Sequence, residues 1–194
     1  MLSPAEIRAR YERIRSEVGP EVTIVAATKY VAVGDMAALV EAGIEVVGEN
    51  RAQDLEAKHA VFGDAFRWHF IGRLQSNKVK VVNRCCELVH SLDSHSAAER
   101  LEIPALLQVN LAGEASKGGI EPAEIPDYLR YDVLGLSTMP PAGGPEDSRP
   151  WFARLHALAS EHSLEQLSMG TTQDYRAAAE EGATLIRVGS VLFL

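Results

Sequence analysis

Short apolar runs alternate with helix-like stretches along most of the chain. An opening helix is predicted at residues 3–18, where Ser3 can cap the first turn, Pro4 takes the first helical position and Glu6 completes a capping box. Eight runs rich in apolar and β-branched residues follow, each hydrophobic nearly throughout, as expected of strands covered on both faces. The predicted strands are residues 22–29, 46–50, 67–72, 88–93, 103–111, 133–139, 164–170 and 185–193. The predicted helices between them are residues 35–42, 51–61, 76–84, 94–101, 122–130, 149–162 and 173–181.

This order of elements favours a closed barrel. A strand followed by a helix, repeated to an eighth strand, is more typical of a (β/α)8 barrel of the TIM type than of an open doubly wound sheet. The long Pro- and Gly-rich run at residues 140–145 would split the repeat if it were a domain boundary, so we interpret it as a loop between a strand and a helix. We therefore expect an α/β fold in which residues 1–194 form a single barrel domain preceded by an N-terminal helix.

Composition and charge narrow the classes of partner. Of the 194 residues, 46% are hydrophobic and 24% are charged, which is ordinary for a globular protein. The net charge of −8 argues against broad binding to nucleic acid or anionic membranes, because both need a basic face. No apolar run approaches the ~20 residues of a membrane-spanning helix. Any site for an anion must therefore be local.

The cysteines indicate the compartment. Cys85 and Cys86 are the only two, and adjacent residues cannot staple distant parts of the chain or form an unstrained disulfide easily. We therefore expect reduced thiols that pack against a helix and a cytoplasmic location. Nothing in the pattern requires a partner subunit, so we expect a monomer.

Lys29 is the first candidate for chemistry, because the active sites of such barrels lie at the C-terminal ends of the strands. It ends a predicted strand whose preceding residues are apolar. Two interpretations are open. The side chain either reaches solvent and merely caps the strand, or it projects into a pocket where its amine can attack an aldehyde.

The loops after the last two strands are the usual phosphate site of this fold. From Ser168 through Gly170 a predicted strand ends in a glycine turn and enters a helix, so hydroxyls and free backbone N–H groups converge at a helix start. Gly189 and Ser190 offer a second close approach of the backbone. The alternative is purely structural, with Thr171 capping the next helix and Gly189 relieving crowding.

Arg187 strengthens the interpretation as a ligand site. It lies inside an apolar strand, on the same face as Gly189 by period-two alternation. A buried arginine without a partner is costly, so it faces either a structural ion pair or a ligand atom. A nucleophilic amine, a phosphate cradle and an inward arginine together describe a site for pyridoxal 5′-phosphate, in which Lys29 forms the Schiff base.

Motifs at successive strand ends also carry a family resemblance. They are AATK at 26–29, GENRAQ at 48–53, WHFIGRLQSNK at 68–78, HSLD at 90–93, LQVN at 107–110 with GEASK at 113–117, GL at 135–136 with MP at 139–140, LSMG at 167–170 and IRVGS at 186–190. Through these motifs the chain resembles the pyridoxal phosphate homeostasis protein family, single-domain relatives of the barrel domain of bacterial alanine racemase. The motifs span nearly the whole chain, and WHFIGRLQSNK is the most specific of them.

The resemblance implies a barrel of fold type III and a role for each matching residue. It implies that Lys29 forms the Schiff base, that Arg187 is the partner of the pyridine nitrogen, and that Asn50 and His69 line the pocket. Ser168, Gly189 and Ser190 resemble phosphate ligands. The full set of cofactor-binding residues that we expect is Lys29, Asn50, His69, Ser168, Gly170, Arg187, Gly189 and Ser190. The sequence departs from the family at Thr28, where Ser is common, and at residues 171–172, where Met-Ser is usual.

The expected function is storage, buffering or delivery of pyridoxal phosphate, without enzymatic turnover. The positive charge of Arg187 opposes protonation of the pyridine ring and weakens carbanion stabilisation. Racemase relatives also take a second acid–base group from a further domain, which these 194 residues do not contain. The expected partners are the cofactor and the apoenzymes that receive it, with neither nucleic acid nor membrane.

Three other functions stay open at this point. A racemase or lyase of low activity would use the same cofactor, and a phosphosugar or aldol-type enzyme would use a Schiff-base lysine without it. A metal hydrolase is disfavoured, because the six histidines show no HExxH motif or comparable ligand spacing. We therefore expect no metal site.

Overall fold

Eight parallel strands close into a barrel in the computed structural model, which describes residues 2–114 and 117–193. Each strand pairs with the next in sequence, and the last pairs with the first. The strands are β1 Thr23–Ala27, β2 Val46–Glu49, β3 Arg67–Phe70, β4 Leu88–Leu92, β5 Ala105–Gln108, β6 Val133–Ser137, β7 Gln166–Ser168 and β8 Leu185–Val188. The predicted TIM-type barrel is therefore confirmed.

Helices cover the outside of the barrel. The α-helices are α1 Pro4–Val18, α2 Met36–Ala42, α3 Ala52–Phe62, α4 Val79–Cys85, α5 His95–Ala98, α6 Ile125–Tyr128, α7 Pro145–Glu161, α8 Tyr175–Glu180 and α9 Ser190–Phe193. Short 3₁₀ turns lie at Val33–Asp35, Gly63–Ala65, Ser76–Lys78 and Pro122–Glu124. Among residues 2–114 and 117–193, no helix is both long and apolar enough to cross a bilayer.

The N-terminal helix begins as the sequence predicts. The Ser3 side chain accepts the backbone N–H of Glu6 at 3.4 Å, and the Glu6 carboxylate accepts the backbone N–H of Ser3 at 2.9 Å. This capping box satisfies N–H groups that have no partner inside the helix. Ile7 and Ile14, two turns apart on one face, are fully buried. The helix α1 packs against α2, α8 and α9.

The core has two layers of unequal size. The larger lies between strands and helices and contains side chains such as Phe70 and Phe152. The smaller lies inside the barrel and has few apolar members, which are Val25, Val46, Leu88, Leu106, Leu185 and the partly buried Ile71. Buried polar residues, among them His69, His90 and Arg187, also occur on the barrel strands. Polar side chains in the interior of a barrel need hydrogen-bond partners there. These hydrogen bonds hold the residues around the site in position.

The prediction of a strand through residue 193 is wrong. The strand β8 ends at Val188, and the chain then turns into α9. The backbone N–H groups of Leu192 and Phe193 donate to the carbonyl of Gly189, which bends the chain away from the barrel. The Arg10 guanidinium on α1 donates to the carbonyl of Val191. The apolar residues of α9 are therefore buried against α1 and not in the sheet.

Other boundaries also differ from the predictions, among them those of α7 and β5. The helix α7 begins at Pro145 and not at residue 149, because proline is favoured in a first turn and the Asp147 side chain accepts the N–H of Gly144 at 2.8 Å. The fifth strand is shorter than the predicted 103–111, with Val109 making only an isolated bridge to Ile120.

The cysteines are buried free thiols at the end of α4. Burial, together with the neighbouring Cys85, raises the pKa of the Cys86 thiol far above its usual range. A thiol that stays protonated is a poor nucleophile and a poor metal ligand, so Cys86 acts in packing.

Candidate functional site

A cavity of about 650 Å³ opens at the C-terminal ends of the strands. Five of the predicted residues line it together, and they are Lys29, Asn50, Arg187, Gly189 and Ser190. They come from the ends of β1, β2 and β8, which are adjacent because β8 pairs with β1 and β1 with β2. Further lining residues are Tyr30, Asp35, Ile71, Met139, Thr171, Thr172 and Gln173.

Lys29 lies at the rim of this cavity, two residues after β1 ends. Its side chain is exposed, and its Nζ lies 4.8 Å from the centroid of the Tyr30 ring. The turn that carries it is closed by the Val31 N–H, which donates to the Thr28 carbonyl at 2.8 Å. The backbone is therefore held while the amine stays accessible to a ligand.

Arg187 is a buried cation on β8 that faces the same cavity. Its Nη2 donates to the Thr138 carbonyl at 2.8 Å and lies 3.2 Å from the Met139 sulfur. Among the described residues, no carboxylate lies within the 4.0 Å of an ion pair with Arg187. Burial lowers the pKa of Arg187 to about 10, and the charge of Asp174 opposes that shift. The guanidinium thus keeps donors for an acceptor that the protein does not supply.

Asn50 presents a second unpartnered group. It follows β2 and lines the cavity, and its side-chain Oδ1 is buried without a hydrogen-bond partner among the described residues. An unpaired buried amide oxygen is costly unless a ligand or water satisfies it. The cavity therefore has two polar groups, at Asn50 and Arg187, whose requirements are met only from outside the chain.

The turn after β7 is held by its own hydroxyls and carboxylate. Asp174 Oδ1 accepts the backbone N–H of Thr171 at 2.7 Å and its hydroxyl at 3.0 Å. These bonds lie within the turn, and the helix α8 begins at Tyr175 without a side-chain cap, so Thr171 does not cap it. The Thr172 hydroxyl accepts the N–H groups of Gly189 at 3.2 Å and Val191 at 3.5 Å, which ties the turn to the end of β8.

Donors remain after these bonds are counted. Within residues 2–114 and 117–193, the backbone N–H groups of Thr172, Gln173 and Ser190 and the hydroxyl of Ser190 have no hydrogen-bond partner. All three residues line the cavity. Convergent backbone N–H groups at a strand-to-helix turn are suited to the oxygens of a phosphate.

Ser168 and Gly170 lie beneath this turn and do not line the cavity. The Ser168 hydroxyl is fully buried and lies 2.7 Å from His90 Nδ1, so its proton is directed into the barrel. Gly170 has φ +89°, and a Cβ there would lie 2.5 Å from the Ala178 side chain. The carbonyl of Gly170 accepts the backbone N–H of Arg187 at 3.0 Å. The structure therefore places Ser168 and Gly170 outside the cavity lining, and the expectation that they contact a phosphate stays a prediction.

His69 is also not brought to the cavity. Its side chain points into the barrel and borders a separate cavity of about 350 Å³ with Arg67, Glu87 and residues from the starts of other strands. Its Nε2 lies 3.0 Å from the Glu87 carboxylate, and its Nδ1 lies 2.9 Å from Nε2 of His90. The structure therefore places His69 outside the lining of the mouth cavity, and the expectation that it lines the cofactor pocket stays a prediction.

The two histidines form a directed chain of hydrogen bonds. Burial lowers the pKa of His69 and lowers that of His90 well below its usual range, so both rings are neutral. With Glu87 ionised, His69 donates from Nε2 to Glu87 and accepts at Nδ1 from His90 Nε2. His90 then accepts at Nδ1 from the Ser168 hydroxyl. Each ring has one tautomer that satisfies both of its contacts.

Sequence reasoning omitted several lining residues from the site. Tyr30 directly follows Lys29, and Asp35 comes six residues after Lys29. Their closeness to Lys29 in the sequence could have suggested both as lining residues. Thr172 and Gln173 belong to a turn whose hydroxyls the sequence did indicate. Among the described residues, no group of three His, Cys, Asp or Glu side chains is placed to hold a metal ion.

The fold and the site define the class of protein. A (β/α)8 barrel with an accessible lysine, an unpaired arginine and free backbone donors at its mouth has a cavity suited to a small phosphorylated ligand. No protein-family model matches the chain. The pyridoxal phosphate homeostasis protein of Aquifex aeolicus is 41% identical over 175 residues, which covers 78% of this chain and 77% of that protein. The pyridoxal phosphate homeostasis protein of Synechocystis is 36% identical over 208 residues, which covers 94% of this chain and 95% of that protein. The chain belongs to the pyridoxal phosphate homeostasis protein family.

Solved structures agree with this assignment. PipY of Synechococcus elongatus superposes with a TM-score of 0.88 at 33% identity, covering 97% of this chain and all of PipY, and it is known both without and with pyridoxal phosphate bound. The lysine/ornithine decarboxylase of Vibrio vulnificus superposes with a TM-score of 0.73 at 15% identity over 62% of its length. That second likeness concerns the fold alone.

Proposed function

We propose that this protein binds pyridoxal phosphate reversibly at the barrel mouth and thereby stores, buffers or delivers it. The observation that carries the proposal is Arg187, a buried cation with no carboxylate partner among the described residues, in one cavity with Lys29 and Ser190. The family to which the chain belongs and the cofactor bound in PipY support the same ligand.

The residues at the mouth fit the chemical groups of the cofactor. The phosphate needs donors, and the N–H groups of Thr172, Gln173 and Ser190 with the Ser190 hydroxyl supply them. The pyridine nitrogen needs one donor, which the guanidinium of Arg187 provides while opposing ring protonation. When bound, pyridoxal phosphate supplies an aldehyde that a lysine can capture as a Schiff base, and Lys29 is the exposed amine at the rim.

We propose carriage and not turnover. An arginine in place of a carboxylate beside the pyridine ring makes a weak electron sink, which favours holding the cofactor over reacting it with amino acids. A racemase or lyase of low activity is the alternative, and turnover of an amino acid that depends on Lys29 would establish it.

The setting of the protein is part of the proposal. We propose that the 194 residues act as one domain, because all eight strands close into one barrel, and that the protein acts as a monomer. Two free thiols are typical of a reducing compartment, which supports a cytoplasmic location and apoenzymes there as recipients.

An absorbance titration tests the proposal. Addition of pyridoxal phosphate is expected to produce a visible band of the lysine-bound cofactor, and borohydride reduction followed by peptide mapping is expected to find it on Lys29. Lys29→Ala should abolish both signals. Lys80→Ala is the matched control, because Lys80 is exposed on α4 outside the cavity lining and its loss should change neither. An adduct retained at the same site in Lys29→Ala would contradict the proposal.

A further inference from the structure

A buried ion pair lies directly behind Lys29 and outside the lining of the cavity. The Nζ of Lys58 on α3 lies 2.5 Å from Oε1 of Glu49 at the end of β2, and the two side chains are 4% and 0% exposed. The second carboxylate oxygen, Glu49 Oε2, is buried without a hydrogen-bond partner among the described residues. Such a pair adds little stability over well-packed apolar residues, because both charges lose their hydration. Its presence therefore calls for another role.

Both members of the pair are bonded to Thr28. Lys58 Nζ donates to the Thr28 carbonyl at 2.8 Å, and the Thr28 hydroxyl donates to Glu49 Oε1 at 2.5 Å. The Thr28 N–H donates to the carbonyl of Gly48 at 3.0 Å. Every polar atom of Thr28 is thus fixed by β2, by α3 or by the turn that Val31 closes.

Fixing the Thr28 carbonyl fixes the backbone of Lys29. The carbonyl of one residue and the N–H of the next belong to the same rigid plane, so holding the first orients the second. Lys29 lies beyond the end of β1, and its own side chain is exposed. The position from which the Lys29 amine reaches into the mouth is therefore set by Thr28 and by the groups that donate to the Thr28 carbonyl.

We propose that Lys58 is the positioning residue for Lys29. Its ammonium group, balanced by Glu49, holds the Thr28 carbonyl and so sets the start of the Lys29 side chain at the rim. This inference rests on the proposed function. In the step that it serves, the uncharged Lys29 amine adds to the aldehyde carbon of pyridoxal phosphate, a carbon–nitrogen double bond forms and one water leaves. Lys58 contacts no reacting atom and contributes orientation alone.

Separate measurement of linkage and binding tests this role. The variant Lys58→Met with Glu49→Gln removes the bond to the Thr28 carbonyl without leaving a buried charge unpaired. The rate of the absorbance change on mixing with pyridoxal phosphate reports linkage, and the affinity for pyridoxine 5′-phosphate, which lacks the aldehyde, reports binding alone. We expect linkage to slow roughly 10- to 100-fold with unchanged affinity for pyridoxine 5′-phosphate. A merely structural role would weaken both.

Glu56→Gln is the matched control, because it removes an ion pair with Arg84 from the exposed side of the same helix. It should change neither measurement. If the double variant does not fold, Thr28→Val removes the hydroxyl that bonds to Glu49 and lies 3.3 Å from the Gly48 carbonyl, and it should also slow linkage without changing affinity. Linkage at the wild-type rate in a folded variant, or equal losses of linkage and affinity, would overturn the positioning role alone. A wild-type protein that fails to link at Lys29 would overturn the proposed function with it.

Discussion

His69 and His90 show how single residues inside the barrel support a site that they do not touch. The two neutral rings connect Glu87, near the start of β4, with the hydroxyl of Ser168, which lies below the turn between β7 and α8. Burial raises the pKa of Glu87, but hydrogen bonds from Arg67 and His69 outweigh it and keep that pKa below its usual range. The chain of bonds therefore keeps its direction as long as the rings stay neutral.

The same two residues should make stability depend on pH. Their pKa values are lower in the folded protein than the usual 6.5, so the unfolded chain binds more protons as the pH falls. Their contribution is complete above pH 6.5 and is lost as the pH falls below it, by at most about 2 kcal/mol per histidine at pH 5. Glu87 loses its contribution only at lower pH, because its pKa lies below 4.5.

Urea unfolding between pH 7.5 and pH 5 measures this dependence. The slope of the free energy of unfolding against pH should flatten when His69→Gln and His90→Gln are combined, even if that variant is less stable throughout. His162→Gln, at the end of α7, should keep the wild-type slope. An unchanged slope in the double variant would show that other groups titrate.

Which residues line the cavity was only partly predictable. Period-two alternation correctly assigned Arg187 to the cavity, because strand geometry decides the face of a side chain. It could not decide the level along the barrel axis, and His69 accordingly lies beside Glu87 and not at the mouth. Ser168 was also expected at the phosphate, but its hydroxyl bonds to His90, a partner 78 residues away that no local pattern specifies.

At the scale of elements, the turn between β7 and α8 depends on one glycine for two reasons, which are its backbone conformation and the space that its missing side chain leaves. Gly170 adopts φ +89°, and its missing side chain leaves room for Ala178 and Tyr175 of α8. Close packing of this helix on the strand brings the donors of Thr172 and Gln173 to the mouth. Crowding at Gly170 would therefore displace the turn between β7 and α8.

Gly170→Ala is expected to destabilise the protein by more than about 3 kcal/mol, because strain from the positive φ adds to the steric overlap. Gly43→Ala is the matched control, since Gly43 has φ +79° and no other atom lies within 4 Å of the point that an added methyl group would occupy. That variant should lose only about 1 kcal/mol. Urea unfolding of both variants gives the comparison. Equal losses would mean that α8 moves freely and that Gly170 matters only for its φ.

The strand–helix order was predictable because buried parallel strands are apolar runs, but the last element was not. Residues 191–193 are apolar and include the β-branched Val191, a pattern that can continue a strand. They form α9 because the carbonyl of Gly189 closes a helical turn and α1 covers the apolar side chains. Tertiary packing of this kind overrides a local pattern. The start of α7 was missed for a related reason, since Pro145 suits a first helical turn as well as a loop.

At the scale of the whole molecule, closure of the barrel makes the site and the fold one cooperative unit. The mouth draws mainly on the ends of β1, β2 and β8, with further lining residues after β3, β6 and β7, and the pairing of β8 with β1 is the contact that closes the ring. Opening the ring anywhere removes the support of the neighbouring strands. The ligand site therefore exists only when all eight strands are in place.

This cooperativity predicts how the ligand affects stability. At a concentration of pyridoxal phosphate 100 times its Kd, the free energy of unfolding should rise by about 2.7 kcal/mol. Because the barrel unfolds as a unit, hydrogen exchange should slow by the same factor in β4 and β5, on the side of the barrel away from the mouth residues, as in β1 and β8. Lys29→Ala at the same ligand concentration serves as the control and should show a smaller rise. Protection confined to β1, β2 and β8 would mean that these strands open separately from the others, and that the site is stabilised without the barrel behind it.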